Sequence, residues 1–278
     1  MTVAPEPPRP PPWWKTLRAD PPAYLRLALG AAMISLVFFI WWLLTRGEPT
    51  EAIISPVKMP APGPVLDAAN DLKDLEGRPF EEHVWVTMAR ILKGVGYAAF
   101  FGITLGVLAG SFRAVSAALA PVVIFLRSIP IAGLMPLVFA FATGGEQQKT
   151  LFVFLAVVPF VFSDTIRAIS SVPQRYVETA ETLGASKSQI IRKVLFPLAL
   201  PDIITSLRFQ FGLAFGYIML AEAIAAEHGL GAMLNVNEKR GNIEQNYLLL
   251  FVIAAIAFVI DWGVRTLQRG VFPYRKDL

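Results

Sequence analysis

The sequence contains no cysteine and only two histidines among its 278 residues. Without a thiol there can be no disulfide framework, thiolate-ligated zinc, iron–sulfur centre or cysteine nucleophile. Charge is scarce as well: Asp, Glu, Lys and Arg make up 17% of the chain, against about 25% in ordinary soluble domains. Apolar residues take its place, at 55% of the total with a mean hydropathy of +0.54. This composition belongs in a bilayer, and the length leaves room for five or six helices of about 20 residues each. The net charge of +4 comes from Lys and Arg scattered between apolar runs. No basic stretch is interleaved with aromatics, so no nucleic-acid partner is expected.

Residues 1–22 are proline-rich and read as a disordered cytoplasmic tail. A first transmembrane helix is expected over 23–44, closing on Trp41-Trp42 at the depth of an aromatic belt. It is too long for a secretory h-region and no small-residue cleavage site follows it, so it reads as a retained anchor. Residues 45–87 read as an extracytoplasmic loop with an amphipathic entry, and 88–278 as the membrane-embedded core. Within that core, spans are expected over 94–112, 114–145, 150–172, 203–226 and 246–265. The second span carries Gly102, Gly106 and Gly110 on one face, which lets another backbone approach closely. The third is expected to be broken at Pro130 and Pro136. With the N-terminus inside, 16 of the 25 Lys and Arg fall on the cytoplasmic side and nine outside. The positive-inside rule therefore favours six spans with both termini cytoplasmic.

Residues 170–201, SSVPQRYVETAETLGASKSQIIRKVLFPLALP, are more organised than a connector requires. Pro173 suits a first helical position. Tyr176, Val177, Ala180 and Leu183 share one helical face. Gly184 can end that helix in a left-handed cap. Ser186 and Gln189 form a capping box that opens a second helix, which Pro197 is expected to stop. Periodicity alone leaves two readings open: a docking element, or a hairpin lying passively on the headgroups.

Glu178-Thr179-Ala180, then Gly184-Ala185, then Val194-Leu195-Phe196-Pro197 resembles the EAA signature of the permease subunits of ATP-binding-cassette importers. Arg127-Ser128-Ile129-Pro130, Glu222 followed by Gly229-Leu230-Gly231, and Pro273-Tyr274-Arg275 resemble the nitrate/sulfonate/taurine/bicarbonate branch. Asp164 departs from the Asn usual there, and Ala142 and Ala168 stand where that branch has Gly. The resemblance implies an all-α, polytopic type I importer permease in the bacterial cytoplasmic membrane, with six transmembrane helices and a cytoplasmic coupling loop over 173–197. It implies three protein partners: a cytoplasmic ATPase dimer, a second permease subunit that completes the pore, and an extracytoplasmic solute-binding protein. ATPase coupling would fall to Tyr176, Glu178, Thr179, Ala180, Leu183, Gly184, Ala185, Val194 and Pro197. The chain has no G-x-x-x-x-G-K-[ST] phosphate loop and not one Gly-Lys pair, so ATP hydrolysis is expected on another chain and no cofactor or metal on this one.

Ionisable groups inside apolar runs must face protein or water. Arg127, Pro130, Asp164, Arg208, Glu222, Gly229 and Gly231 are therefore candidates for the pathway or a gate. Arg127 and Arg208 could attract an anionic solute, snorkel to the headgroups or join internal ion pairs. Asp164 and Arg167, one turn apart, could pair with each other, and Glu222 could brace an external gate loop. An intramembrane hydrolase would need a Ser–His, paired-Asp or His–Glu metal site at membrane depth; His83 and His228 both fall in expected external loops. An ion-coupled secondary transporter would show two matching halves, and no second broken helix answers the third.

Overall fold

The computed structural model describes Thr16 and residues 20–47, 52–70, 74–75, 78–141 and 144–274. Almost all of the expected tail lies outside these, as do Ala142 and Arg275. Two compact units are present, 1–66 and 67–278.

In the first unit, α1 spans Ala23–Thr45, about 35 Å at 1.5 Å per residue. Its end is tied to the chain that follows: Trp41 Nε1 donates to the Pro60 carbonyl at 3.0 Å, and the Ile54 amide donates to the Leu44 carbonyl at 3.0 Å. A short helix, α2, follows over Pro62–Asp67.

In the second unit a 3-10 turn over Ala68–Asn70 precedes a two-residue ladder, β1 (Asp74–Leu75) paired antiparallel with β2 (Arg78–Pro79). Helix α3 follows directly as Phe80–Ser111. It begins well before the uncharged run at residue 94 because its first turns carry buried polar groups that other helices satisfy. Glu81 and Glu82 in its first turn complement the positive end of the helix dipole. Its partner is α6 (Glu146–Ser170). A Cβ added at Gly94, Gly102, Gly106 or Gly110 would come within 2.6–2.9 Å of Val153, Val161, Thr165 or Ile169. The glycine face expected on the second span is therefore the seam between these two helices. It begins eight residues before the expected Gly102, at Gly94.

Between them lie α4 (Arg113–Ser128) and α5 (Ile131–Phe141), bent by 101° at Ile129-Pro130. The break falls at Pro130 as expected, whereas Pro136 is carried inside α5 without interrupting it. After α6 come α7 (Gln174–Thr182), α8 (Lys187–Ile190), a π-helical turn (Ile191–Leu195) and α9 (Phe196–Ala225). Pro197 does not stop the helix. The Phe196 amide donates to the carbonyl of Ile191, five residues back. This wider turn leaves room for a proline that has no N–H to give. Helix α10 (Leu230–Arg240) occupies what the sequence read as loop, and α11 (Ile243–Val271) closes the unit.

Among the described residues, α1, α3, α6 and α11 are long and apolar enough to cross a membrane, and the bent α4–α5 pair makes a fifth span if counted as one. Helix α9, 30 residues long, carries the remaining apolar run together with Asp202, Arg208 and Glu222.

Candidate functional site

The polar centre of the second unit lies where α3 and α6 begin and α9 ends. Glu222 is 0% exposed, three residues before the end of α9. An ionised carboxylate in that position needs partners for its lone pairs, and α3 and α10 supply them. Arg90 Nη1 of α3 donates to Oε1 at 2.6 Å, the Gly231 amide of α10 donates to Oε2 at 2.9 Å, and the Thr87 hydroxyl lies 2.9 Å from both oxygens. Thr87 in turn accepts the Leu230 amide at 2.9 Å. Arg90, 3% exposed, also donates from Nη1 to the His228 carbonyl at 2.7 Å. Its other edge forks onto Glu146 of α6, with Nε donating at 2.6 Å and Nη2 to the second oxygen. Lys149 Nζ, itself buried, stands 3.7 Å from Glu146. One guanidinium thus joins α3, α6, α9 and the 226–229 loop.

The glycines after Glu222 are required by this geometry. Gly229 has φ +125°, and a Cβ there would meet the Glu222 carboxyl carbon at 2.5 Å; a Cβ at Gly231 would meet the Met219 carbonyl at 2.6 Å. The Gly229 amide donates to Nδ1 of the buried His83 at 3.1 Å, so that nitrogen carries no proton. Arg90, Thr87, His83 and Glu146 were absent from the sequence candidates. His83, Thr87 and Arg90 are spaced four and three apart and share one face once the helix starts at Phe80. That spacing was the available signal.

At the opposite end of α6 and α9 lies the elbow. The Gly184 amide donates to the Glu181 carbonyl at 2.9 Å and the Ala185 amide to the Ala180 carbonyl at 3.0 Å, with Gly184 at φ +78°. This is the paired 5→2 and 6→1 bonding of a Schellman cap. Ser186 and Gln189 then form the reciprocal capping box. Thr179 donates its hydroxyl back to Arg175, and α7 has no buried residue. Tyr176 and Leu183 stand exposed, Leu183 at 81%, and Glu178 is exposed beside them. The far side of the elbow is anchored: Ile190 is buried, and Leu195 and Phe196 pack on a cluster of Ala168, Ile169, Ala199 and Ile203. Val194 lies in the π turn and Pro197 just after it. The turn that follows α7 is thereby packed against the ends of α6 and α9.

The remaining candidates separate. Arg127, exposed at the end of α4, lies over the Phe160 ring at 4.9 Å, next to the Pro130 break. Arg208 is buried with Nε 2.9 Å from Asp261 of α11, in the wall of an apolar cavity of about 680 Å³. Asp164 pairs with Arg167 and accepts hydrogen bonds from Ser206 and Gln210 of α9. The described residues hold no cluster of three or more His, Asp or Glu able to bind a metal.

Residues 102–273 match the family model of the binding-protein-dependent transport system inner membrane component. The chain is 30% identical over 263 residues to the taurine transport system permease protein TauC of Escherichia coli K12, covering 92% of this chain and 93% of that protein. It is 28% identical to the nitrate import permease protein NrtB of Synechocystis over 87% and 88% of the two chains. The bicarbonate transport system permease protein CmpB of the same organism is 28% identical over 68% and 69%. Two solved structures share the fold. A chain of the inward-facing MetNI methionine ABC transporter matches at TM-score 0.59, with 24% identity over 68% of this chain and 94% of that one. A chain of a bacterial ABC transporter that imports the acidic polysaccharide alginate also matches at 0.59, with 17% identity over 89% and 97%.

Proposed function

The chain belongs to the binding-protein-dependent transport system inner membrane component family and is a membrane-spanning permease subunit of an ATP-driven importer, and from that premise we propose how it works. Its solute is a small molecule bearing an oxyanion, of the kind that the taurine, nitrate and bicarbonate permeases are named for. The elbow over 173–197 docks a separate cytoplasmic ATPase, a second permease subunit completes the pore, and an extracytoplasmic binding protein delivers the solute. Both termini face the cytoplasm, and α1, α3, α4–α5, α6, α9 and α11 are the six spans.

The exposed apolar stripe of α7 carries this reading. Helix α7 has no buried side chain of its own, yet its C-terminal end is fixed by the Schellman cap and the following turn is packed against α6 and α9. An interaction surface held that rigidly can transmit motion. A partner that binds one arrangement of the bundle better than the other then shifts the bundle between states. Arg90 and Glu222 hold the other ends of α3, α6 and α9 together, so these helices tilt as one body around the elbow. Copurification from membranes tests the docking. The parental permease should retain its ATPase, and Leu183→Asp, at an exposed site that leaves the fold intact, should lose it. Equal retention of ATPase by both proteins would overturn the reading.

A further inference from the structure

Two cavities open along the exposed side of the α3–α6 seam and share a wall. The upper one, of about 530 Å³, has Lys93, Glu146 and Gln147 at its mouth and Tyr97 and Leu151 below them. The lower one, of about 270 Å³, lies against α4, and its lining is apolar throughout, with Leu105, Val122, Leu126 and Val158 among its walls. Phe101 and Phe154 border both, their rings edge to face at 5.9 Å. The two form one slot, polar at the end where α6 begins and apolar at the other. Along α6 the slot runs from Glu146 to Phe162, about 24 Å at 1.5 Å per residue. One leaflet with its headgroups is about 20–22 Å thick, half of the bilayer's 40–45 Å. The slot therefore has the length and the polarity gradient of a single leaflet.

The bend between α4 and α5 leaves this slot open. Helix α4 runs back along α3 after Phe112 and reaches the lower cavity with Leu126. Three residues later the chain turns by 101°, and no described residue of α5 lines either cavity. Tyr97 and Phe101 are left 55% and 48% exposed. An apolar slot with nothing in it forfeits dispersion contacts along its whole lining, so in a bilayer hydrocarbon fills it. The mouth specifies what that hydrocarbon carries. Arg90 forks onto Glu146 and Lys149 stands beside the same carboxylate, so Glu146 is matched from within the bundle. Lys93 is exposed and takes no part in those pairs. It lies one turn above Tyr97 on the same helical face. A lysine whose stem covers apolar surface while its ammonium reaches the headgroups, next to an interfacial tyrosine, is placed to meet a phosphate.

Building on the permease reading above, which supplies the bilayer, we propose that this slot holds one phospholipid of the leaflet opposite the elbow. Its phosphodiester sits on Lys93, and one acyl chain passes Phe101 and Phe154 to lie between α3, α4 and α6. The lipid occupies the place that a straight continuation of α4 would fill and keeps α4 against the seam.

The purified permease–ATPase complex, stripped of lipid in detergent, is melted with dioleoyl phosphatidylglycerol or with dioleoylglycerol, which has the same chains and no phosphate. A ligand of the folded state raises the melting temperature. Phosphatidylglycerol should raise it in the parent, and dioleoylglycerol should raise it far less. Lys93→Gln should lose most of the phosphatidylglycerol shift. Val122→Trp, at a side chain 55% exposed whose enlargement fills the lower end of the slot, should lose it too. Equal shifts from the two lipids, an undiminished shift in either variant, or no shift at all overturns the proposal. So does a Val122→Trp complex that sheds its second permease subunit in gel filtration, because the slot then holds a helix of that subunit. Both variants should keep their ATPase through purification, so failure here is separate from failure of the importer reading, which shows as loss of ATPase copurification.

Discussion

Arg90 donates four hydrogen bonds in the site, and its fork explains why an arginine is needed. One edge binds Glu146 of α6 while the other binds Glu222 of α9 and the His228 carbonyl. Lysine has no planar fork and cannot reach both carboxylates in the same way. Arg90→Lys should therefore lower the melting temperature of the purified complex. Glu222→Gln should do more, since it leaves a buried guanidinium short of one counter-charge, and breaking a buried pair costs about 3–5 kcal/mol. Thermal unfolding in nanodiscs measures both, and a Glu222→Gln protein as stable as the parent would mean that the pair is not held as described. Gly229→Ala makes the same point through the backbone. A side chain there meets the Glu222 carboxylate in a φ region that L-residues avoid, so this variant should unfold at a lower temperature than Gly212→Ala, whose added methyl has open space around it.

Helix by helix, the sequence was readable where a local rule sufficed and opaque where a distant partner decided. The elbow was readable because its glycine cap and capping box each need only a few consecutive residues. The break at Pro130 and the glycine face of α3 followed from single residue types at fixed spacing. The start of α3 was not legible, since His83, Thr87 and Arg90 look like loop residues until Glu222, Glu146 and the 228–231 backbone are brought to them. Pro197 misled for a related reason: a proline stops a regular α-helix, but a π turn upstream removes the clash. Helix α10 has too little apolar periodicity to be seen and is fixed by its Leu230 and Gly231 amides bonding to Thr87 and Glu222. The α3–α6 seam yields its own prediction. Gly106→Val places a branched side chain where even a Cβ is 2.6 Å from Thr165. It should reduce the yield of folded complex in detergent gel filtration, while Gly216→Val, with no atom near its Cβ, leaves the yield close to parental.

In the whole molecule, the capped elbow leads into helices that Arg90 and Glu222 hold together at their far ends. The absence of cysteine makes its topology simple to check. A cysteine introduced at Ser186 should react with an impermeant thiol reagent only after the membrane is opened, and labelling from outside intact cells would contradict cytoplasmic placement of the elbow. Binding-protein-stimulated ATP hydrolysis by the reconstituted importer in vesicles measures coupling through the elbow most directly. Gly184→Val forces a β-branched residue into φ +78°, which disrupts the Schellman cap and the presentation of Leu183; Glu178→Lys reverses an exposed charge on the same surface. Both proteins should insert normally yet lose stimulated hydrolysis and solute uptake together, Gly184→Val almost completely and Glu178→Lys in part. Hydrolysis and uptake at the parental rate in both would show that the elbow is a passive surface hairpin.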